Sequence, residues 1–313
     1  MKEDKRIMIV GIGGVGGYLA GMLGLRYKNL TLIARGKRKE ALQKNGVVLH
    51  SDFNGEIITK PSVIEESASE VSQIQDLIFL CVKTYALPEV CRTLQSCVDD
   101  HTILIPVMNG ADTADRVRDN VGKGLTVNAV IYTTSASNPD YSITQLGKYT
   151  KIILGAEEKN EKEAARAAAE VLADAGIECE VYDDVRQAVW EKYIFNCAYN
   201  VITAYYLETV EHIRDRQDRR EEFHTLLEEA LLVAKAAGVH IPDHYVEEEF
   251  NRFLSLDEGS TSSLKRDIEA GRPSEFETFG GYLLQTADQL GVSIPLSRKF
   301  YNGLQEKLSQ QTI

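Results

Sequence analysis

Three glycines near the amino terminus have the spacing of a nucleotide-binding turn. In the segment RIMIVGIGGVGG, residues 6–17, a short apolar strand leads directly into G-x-G-x-x-G. At this spacing the first glycine makes a tight turn, the second lets the backbone approach a pyrophosphate, and the third lets the next helix pack closely. A helix from about Val15 to Leu25 would point its free N–H groups at the phosphate. The segment predicts a dinucleotide site formed by Gly11, Gly13, Gly14, Val15 and Gly16.

Two other interpretations of this segment exist. An ordinary βα turn that binds no nucleotide has the same pattern. Residues 7–25 also carry no charge and follow a basic start, as in a signal peptide or a membrane span. The seven glycines in that stretch make a membrane span a poor fit, so we expect no membrane association.

The end of the second strand indicates which dinucleotide is bound. The apolar run 29–34 ends about twenty residues after the glycines, where an NAD site usually has Asp or Glu for the ribose 2′-hydroxyl. This chain has Arg35 there, followed by Lys37, Arg38 and Lys39. Cationic groups attract a 2′-phosphate that a carboxylate would repel, which favours NADPH/NADP. A solvated basic run at the start of the next helix is the alternative.

Composition excludes several classes of function. The formal net charge of −12 argues against nucleic acid and anionic membranes as partners. The five cysteines are scattered, with no C-x-x-C pair, which predicts free thiols in a reducing cytoplasm. The six histidines form no convincing set of ligands, so no metal is expected.

The pattern of predicted secondary structure changes once along the chain, near Asp183. Before this point strand-like runs alternate with helical stretches, and the runs cover residues 77–82, 102–107, 125–132, 152–155 and 177–181. After it, helical periodicity covers 185–206, 219–237, 245–256, 276–290 and 295–308. The pattern predicts an α/β fold, with a Rossmann-like, mostly parallel sheet domain over 1–183 and an all-helical domain over 184–313. We expect a ligand in the crevice between them.

Two polar residues follow predicted core strands. Lys83 comes after the run 77–82, and Asn109 lies about two residues beyond the run 102–107. Open α/β sheets bind ligands beyond the carboxyl ends of their strands, so both are candidates for the ligand site. A solvated strand end for the lysine, and a common Asn-Gly turn for the asparagine, are the alternatives.

A polar stripe runs along the helix predicted over 185–206. Lys192, Asn196 and Asn200 recur every four positions, so each is rotated by only about 40° from the last. Apolar residues cover most of the remaining surface, which predicts a helix buried nearly all round. Buried polar groups need partners. The partner is either a ligand or an interhelical network within the protein.

A third polar cluster follows near residue 263. It contains Ser263 and, after a Gly-Arg-Pro break, Glu275. Ser274 and Glu277 have the spacing of a capping box, which assigns Glu277 a structural role. Glu275 falls in the same first helical turn, where the helix dipole would favour a carboxylate even without a substrate.

Taken in order, these motifs resemble the 2-dehydropantoate 2-reductase, or ketopantoate reductase, family. They are the glycine turn with Arg35, Val82-Lys83, Asn109-Gly110, the W-x-K-x-x-x-N-x-x-x-N helix, and Ser-Ser-Leu-x-x-Asp followed by Gly-Arg-Pro-Ser-Glu. The resemblance implies an NADPH-dependent reductase of pantothenate and coenzyme A biosynthesis, with a Rossmann domain followed by a helical domain.

The resemblance also implies roles for individual residues. It makes Lys192 the catalytic lysine and Glu275 the carboxylate that contacts substrate. It places Lys83 and Asn109 on the cofactor side of the cleft. It assigns the binding of a small 2-oxo acid to Asn196, Asn200 and Ser263.

One stretch departs from the family pattern. Met108 stands where the family often has Gln before Asn-Gly, and Ala111-Asp112-Thr113 replace a further glycine-containing run. At this stretch the resemblance therefore does not define how the nicotinamide edge is held, nor the exact substrate.

The residue types fit ketone reduction. We expect the Lys192 ammonium to give the proton, with its pKa lowered by burial and by a nearby Lys83. Glu275 would orient Lys192 or accept a hydrogen bond from the hydroxyl group of the substrate. An NADP-dependent dehydrogenase of another 2-oxo or 3-hydroxy acid, and a non-catalytic NADPH sensor, are the alternatives. Both a monomer and a homodimer are compatible with the sequence.

Overall fold

The computed structural model of the chain describes residues 4–311. It divides into two compact units, Met1–Val185 and Arg186–Ile313. The division falls two residues after the boundary predicted near Asp183.

The first unit contains eleven strands in two sheets among the described residues. The strands are β1 (Ile7–Val10), β2 (Leu30–Ile33), β3 (Val47–Ser51), β4 (Gly55–Thr59), β5 (Val63–Glu65), β6 (Leu77–Leu80), β7 (Ile103–Pro106), β8 (Leu125–Thr126), β9 (Asn128–Ser137), β10 (Ile143–Gly155) and β11 (Glu178–Val181). Six of them form a parallel sheet in the order β5-β2-β1-β6-β7-β8. With its strands renumbered within this sheet, the order is the 3-2-1-4-5-6 order of a doubly wound nucleotide-binding fold.

Helices cover both faces of this sheet. They are α1 (Gly14–Gly24), α2 (Lys37–Asn45), α3 (Leu87–Thr93) and α4 (Thr113–Val121), whereas α5 (Lys162–Asp174) packs on β10 and β11. Strand β1 is buried throughout and divides its side chains between two cores. Ile7 and Ile9 pack in the core that includes Leu19 of α1, whereas Met8 and Val10 pack in the core that includes Val90 of α3. Burial on both faces explains why β1 is an uninterrupted apolar run.

A second sheet extends the first unit beyond what its sequence predicts. Its order is β11-β10-β3-β4, and β9 pairs antiparallel with β10. The single strand predicted over 125–132 is two strands, because the chain leaves β8 for the second sheet as β9 after Val127. Strands β3, β4 and β5 were not predicted, since they are short and partly exposed.

The second unit is helical, as predicted. Its elements are α6 (Val185–Tyr206), α7 (Val210–Arg214), α8 (Gln217–Ala236), α9 (Tyr245–Leu254), α10 (Ser263–Glu269), a π-helical turn (Glu277–Gly281), α11 (Tyr282–Leu290) and α12 (Pro295–Gln311). The bounds of α6 are those predicted from its periodicity. The α/β fold class, a Rossmann-like parallel sheet followed by helices, is therefore confirmed. Within residues 4–311, no helix combines the length and the apolar character needed to cross a membrane.

Candidate active site

Four adjacent strands of the parallel sheet end in register. Val10 of β1 aligns with Ile33 of β2 and with Leu80 of β6, and Leu80 aligns with Pro106 of β7. The positions three residues beyond this row are Gly13, Gly36, Lys83 and Asn109. The register thus gathers the glycine turn, the start of α2, and two predicted site residues at one edge of the sheet, where doubly wound folds bind ligands.

The glycine turn has the geometry that a bound pyrophosphate requires. Gly11 has a φ of +91°, and a Cβ there would lie 2.7 Å from Val82 Cγ1. A Cβ on Gly16 would lie 2.0 Å from the Gly11 carbonyl oxygen, because α1 packs directly on the turn. A Cβ on Gly13 would meet nothing within 4 Å. The three glycines thus make a tight turn, an open approach and a close helix contact, which fits a dinucleotide.

The neighbours of these glycines pack against protein. A Cβ on Gly14 would lie 2.3 Å from the Ser135 carbonyl oxygen, so β9 crosses closely over the start of α1. Val15 is partly buried against the main core of the first unit. Their role in cofactor binding stays a prediction.

The basic run after β2 is largely paired with protein groups. The Arg35 guanidinium donates to Glu89 Oε1 at 3.0 Å, and Lys39 Nζ donates to Glu65 Oε2 at 3.2 Å. Arg38 Nη1 donates to Ser137 Oγ at 2.9 Å, and burial lowers the pKa of this guanidinium. The run is therefore not simply solvated.

Lys83 and Asn109 are both half-buried. The Lys83 carbonyl accepts a hydrogen bond from the Ala86 N–H at 2.9 Å, which closes a short helical turn directly after β6. Asn109 precedes Gly110, which has a φ of +115° and lies in a bend of the chain. A short helical turn thus follows β6 and a bend follows β7 at this edge of the sheet.

Lys192 lies half-buried on α6. Burial lowers its pKa to about 8, and the Glu275 carboxylate acts in the opposite direction by stabilising the ammonium. Burial was expected from the sequence. Glu275 was predicted to orient Lys192 or to accept a hydrogen bond from the substrate, but its opposing effect on the pKa was not predicted. The expected effect of Lys83, which belongs to the other compact unit, stays a prediction.

Glu275 is 4 % exposed and lies two residues before the π-helical turn. Its carbonyl accepts hydrogen bonds from the N–H groups of Thr278 at 3.0 Å and Phe279 at 3.2 Å. The hydroxyl of Tyr193, the residue after Lys192, donates to the Thr278 carbonyl at 2.7 Å. Helix α6 thereby fixes the turn that carries Glu275, and π-helical turns of this kind are frequent at functional sites.

The predicted capping box of Ser274 and Glu277 is wrong. The π-helical turn has no side-chain cap, and the Glu277 carboxylate instead accepts the Tyr301 hydroxyl at 3.1 Å. Both Tyr193 and Tyr301 donate hydrogen bonds to residues of this turn. The stacking of Phe276 on Tyr301, with ring centroids 4.5 Å apart, contributes to this packing.

The two amides of the predicted stripe differ in their surroundings. Asn200 is buried, and its Nδ2 donates to the Asn196 carbonyl at 3.0 Å. Its Oδ1 accepts from Ser263 Oγ at 3.4 Å and from the Leu264 N–H at 3.3 Å. Asn196 is half-buried. The structure thus brings Asn200 and Ser263 together, and it supports an interhelical role for Asn200.

Two further residues fix the start of α10 and were not predicted. Ser262 caps the helix by accepting the Lys265 N–H at 3.1 Å. The Thr203 hydroxyl of α6 donates to Ser262 Oγ at 2.7 Å. Thr203 lies three residues after Asn200, so the polar stripe could have been extended by one turn to find it.

An ion pair closes the loop between α10 and Glu275. Arg272 Nε donates to Asp267 Oδ1 at 3.0 Å, and the Arg272 N–H donates to the Asp267 carbonyl at 2.8 Å. Asp267 is 9 % exposed. This pair holds Arg272 three residues before Glu275, so it is a positioning contact.

The described part of the chain contains no group of three or more His, Cys, Asp or Glu side chains arranged to hold a metal ion.

Comparison with known proteins identifies the family. The model described as "Ketopantoate reductase PanE/ApbA" matches residues 7–159, and the model of the C-terminal part of the same family matches 184–308. The chain belongs to the ketopantoate reductase family. This assignment makes it an NADP-dependent oxidoreductase that acts on a CH–OH or ketone group.

Individual relatives of this family cover nearly the whole chain. An uncharacterized oxidoreductase of Bacillus subtilis is 27 % identical over 96 % of this chain and 98 % of its own length. A 2-dehydropantoate 2-reductase of Mesorhizobium japonicum is 27 % identical over 91 % of each chain. A family structure from Ralstonia eutropha superposes with a TM-score of 0.89, at 24 % identity, over 98 % of this chain and 100 % of its own.

The packing of the glycine turn predicts losses of different size for two alanine substitutions. Gly16→Ala places a Cβ against the Gly11 carbonyl, so we expect the free energy of unfolding to fall by about 1–3 kcal/mol. Gly13→Ala, the matched control, places its Cβ in open space, so we expect only the loss of about 0.5 kcal/mol that follows from replacing the N-cap glycine of α1 by alanine. Urea unfolding of both variants measures this, and equal losses would contradict the assigned packing.

The pair formed by Asp267 and Arg272 is tested by a double-mutant cycle. We expect a coupling free energy of about 0.5–1 kcal/mol between Asp267→Asn and Arg272→Gln in urea unfolding, because the carboxylate is buried and the guanidinium is exposed. We expect each single variant also to lower kcat, since the loop leads to Glu275. A coupling free energy near zero would show that the pair does not hold the loop.

Proposed function

We propose that this protein reduces 2-dehydropantoate to pantoate with NADPH, using Lys192 as the proton donor. The observation that carries the proposal is a half-buried lysine with a pKa of about 8 beside the buried carboxylate of Glu275, in a chain of the ketopantoate reductase family. The substrate assignment follows the curated 2-dehydropantoate 2-reductases among its relatives.

The proposed role of Lys192 is that of a general acid. The hydride for the ketone carbon would come from NADPH when it is bound. The ketone oxygen then carries the electron pair of the C=O bond, and it takes one proton from Lys192 Nζ to become the hydroxyl group. An ammonium with a pKa near 8 is charged at neutral pH and still gives up its proton readily, which suits it to this step.

The proposed role of Glu275 is to control that ammonium. A carboxylate that stabilises the charged form keeps Lys192 protonated before reaction, although burial opposes the charge. The same carboxylate can accept a hydrogen bond from a hydroxyl group of the substrate. Both roles require that Glu275 stay fixed relative to α6, which the contact between Tyr193 and Thr278 ensures.

We assign the 2-oxo acid to the polar groups that surround the start of α10. Ser263 is the proposed partner of the substrate carboxylate, with the amides of Asn196 and Asn200 beside it. Asn200 already uses both ends of its amide in protein contacts. In this proposal Asn200 therefore acts chiefly by orienting Ser263, and Asn196 provides the more available amide.

Cofactor binding is assigned to the first unit. The proposed pyrophosphate contacts are the backbone N–H groups of the glycine turn and the N-terminus of α1. Arg35 is the proposed partner of the 2′-phosphate. Lys83 and Asn109 follow the two neighbouring strands at the same edge of the sheet, and we assign them to the nicotinamide side of the cofactor.

Another 2-oxo or 3-hydroxy acid is the second candidate substrate. A D-mandelate dehydrogenase, solved with NADH and anilino(oxo)acetate, superposes with a TM-score of 0.86 at 19 % identity, so the fold alone does not select the substrate. The departures from the family pattern at Met108 and at residues 111–113 favour this candidate.

The proposed oligomeric state and location rest on one solved relative and on the cysteines. A solved relative from Staphylococcus aureus is described as a dimeric ketopantoate reductase, and we propose a homodimer for this chain. All five cysteines are free thiols, which supports a cytoplasmic location.

Size-exclusion chromatography with light scattering tests the proposed homodimer. We expect a mass of two chains, and a monomeric mass would contradict the proposal.

The proton donor is tested by removing its amine. We expect Lys192→Ala to bind NADPH with unchanged affinity, because the cofactor contacts lie in the first unit. We expect kcat for 2-dehydropantoate reduction to fall by about 10²–10⁴-fold, the usual contribution of a positioned acid. NADPH absorbance measures turnover, and nucleotide fluorescence measures binding. Lys192→Arg keeps the charge and loses the easily released proton, so it serves as the matched variant.

Two outcomes would contradict this proposal. Unchanged turnover in Lys192→Ala would remove the assigned acid. NADPH binding without turnover by the unmodified protein, on 2-dehydropantoate and on a panel of other oxo acids, would favour a non-catalytic NADPH sensor. Strong preference for another acid in the panel would keep the mechanism and change the substrate.

The pKa of Lys192 predicts a pH dependence for the reduction. The acid must be protonated to act, so we expect kcat/KM to be constant below pH 8 and to fall above it, approaching tenfold per pH unit. The fall should disappear in Lys192→Arg, whose residual activity retains its charge. A profile that stays level up to pH 10 would show that Lys192 is not the donor.

A further inference from the structure

Two carboxylates surround the residue assigned to the 2′-phosphate. Glu89 Oε1 accepts from Arg35 Nη2 at 3.0 Å. The backbone carbonyl of Glu66 accepts from Arg35 Nε at 3.4 Å, and its side chain, through Oε1, accepts from the Gly36 N–H at 3.3 Å. An internal anion thus already lies at the N-terminus of α2, beside the arginine.

The strand pairing explains why the carboxylates are there. Strand β5 pairs in parallel with β2, and Glu65 aligns with Ile33, so Glu66 follows directly beside the end of β2. Glu89 lies in the first turn of α3. Neither carboxylate is near Arg35 in the sequence, since the two contacts span 31 and 54 residues.

These groups combine the recognition elements of two cofactors. At the end of the second strand, a carboxylate hydrogen-bonds the ribose 2′-hydroxyl of NAD, whereas an arginine accommodates the 2′-phosphate of NADP. This chain has the arginine two residues after β2, and it supplies carboxylates from the residue that follows β5 and from α3. A 2′-phosphate must therefore displace Glu89 from Arg35 and approach the negative charge of Glu66.

We propose that Glu66 and Glu89 determine how strongly this protein prefers NADPH over NADH. The inference rests on the proposed NADPH-dependent activity. Glu89 competes with the 2′-phosphate for Arg35. Glu66 repels the phosphate and accepts a hydrogen bond from the ribose hydroxyl of NADH. Together they reduce the preference for NADPH over NADH that Arg35 alone would give, so both nucleotides bind.

Exposure sets the size of the effect. The side chains of Arg35 and Glu89 are 60 % and 59 % exposed, and exposed ion pairs are weak. The pair is therefore a competitor that a phosphate can displace. We expect each carboxylate to alter nucleotide selectivity by about twofold to fivefold.

The test compares three glutamine substitutions that remove the same charge. Glu66→Gln and Glu89→Gln remove the proposed competitors. Glu40→Gln is the control, because Glu40 is also an exposed carboxylate in the first turn of α2. This variant shows whether the loss of any negative charge near this site alters the ratio. Dissociation constants for NADPH and NADH are measured by nucleotide fluorescence at two salt concentrations. Thermal unfolding verifies that each variant is folded.

We expect the ratio of the NADH to the NADPH dissociation constant to rise by about twofold to fivefold in each of the first two variants, and more at low salt. We expect Glu66→Gln also to weaken NADH binding. Glu40→Gln should leave the ratio unchanged. In an Arg35→Ala background, Glu89→Gln should no longer alter the ratio, because its partner is gone.

Ratios that stay constant or fall in both Glu66→Gln and Glu89→Gln would overturn the proposal. An equal rise in Glu40→Gln would overturn it as well, since a general charge effect would then suffice. A protein that binds NADPH but reduces no oxo acid refutes the proposed function alone, and the selectivity ratios still decide this inference. Failure of the unmodified protein to bind either nucleotide would refute both.

Discussion

The central constraint in the second unit is the free-energy cost of burying the charged side chain of Lys192 on helix α6. Burial disfavours the ammonium of Lys192, and the buried carboxylate of Glu275 returns part of that stability. A charge in such a place needs a partner whose position does not vary. The surrounding contacts meet that need. The Tyr193 hydroxyl donates a hydrogen bond to the π-helical turn that follows Glu275. The ion pair of Asp267 and Arg272 closes the loop that precedes Glu275.

In the first unit, the proposed cofactor site must present backbone N–H groups to a pyrophosphate. Strands that end in register place the glycine turn and the start of α2 at one sheet edge, and close packing of α1 on Gly11 leaves Gly13 as the open approach. Charged side chains at the same sheet edge then set its electrostatic potential. Arg35 brings positive charge to the edge, and the carboxylates of Glu66 and Glu89 partly offset it.

Features that depend on local periodicity could be predicted from the sequence. The apolar run of β1, the glycine spacing and the bounds of α6 each follow from residues close together in the chain. Features that depend on distant partners could not. The partners of Arg35 come from the residue after a short strand and from a different helix. The π-helical turn stands where a regular capped start was predicted, and its side-chain partners Tyr193 and Tyr301 are both distant from Ser274 in the sequence.

The most direct test of this account is a titration of the Lys192 side chain by NMR, with ¹³C-labelled lysine and Lys192→Arg to assign the signal. We predict a midpoint near pH 8 in the unmodified protein. In Glu275→Gln we predict a lower midpoint, because the carboxylate that favours the charged form is gone. A midpoint near the ordinary lysine value of about 10.4, unchanged by Glu275→Gln, would contradict the central claim.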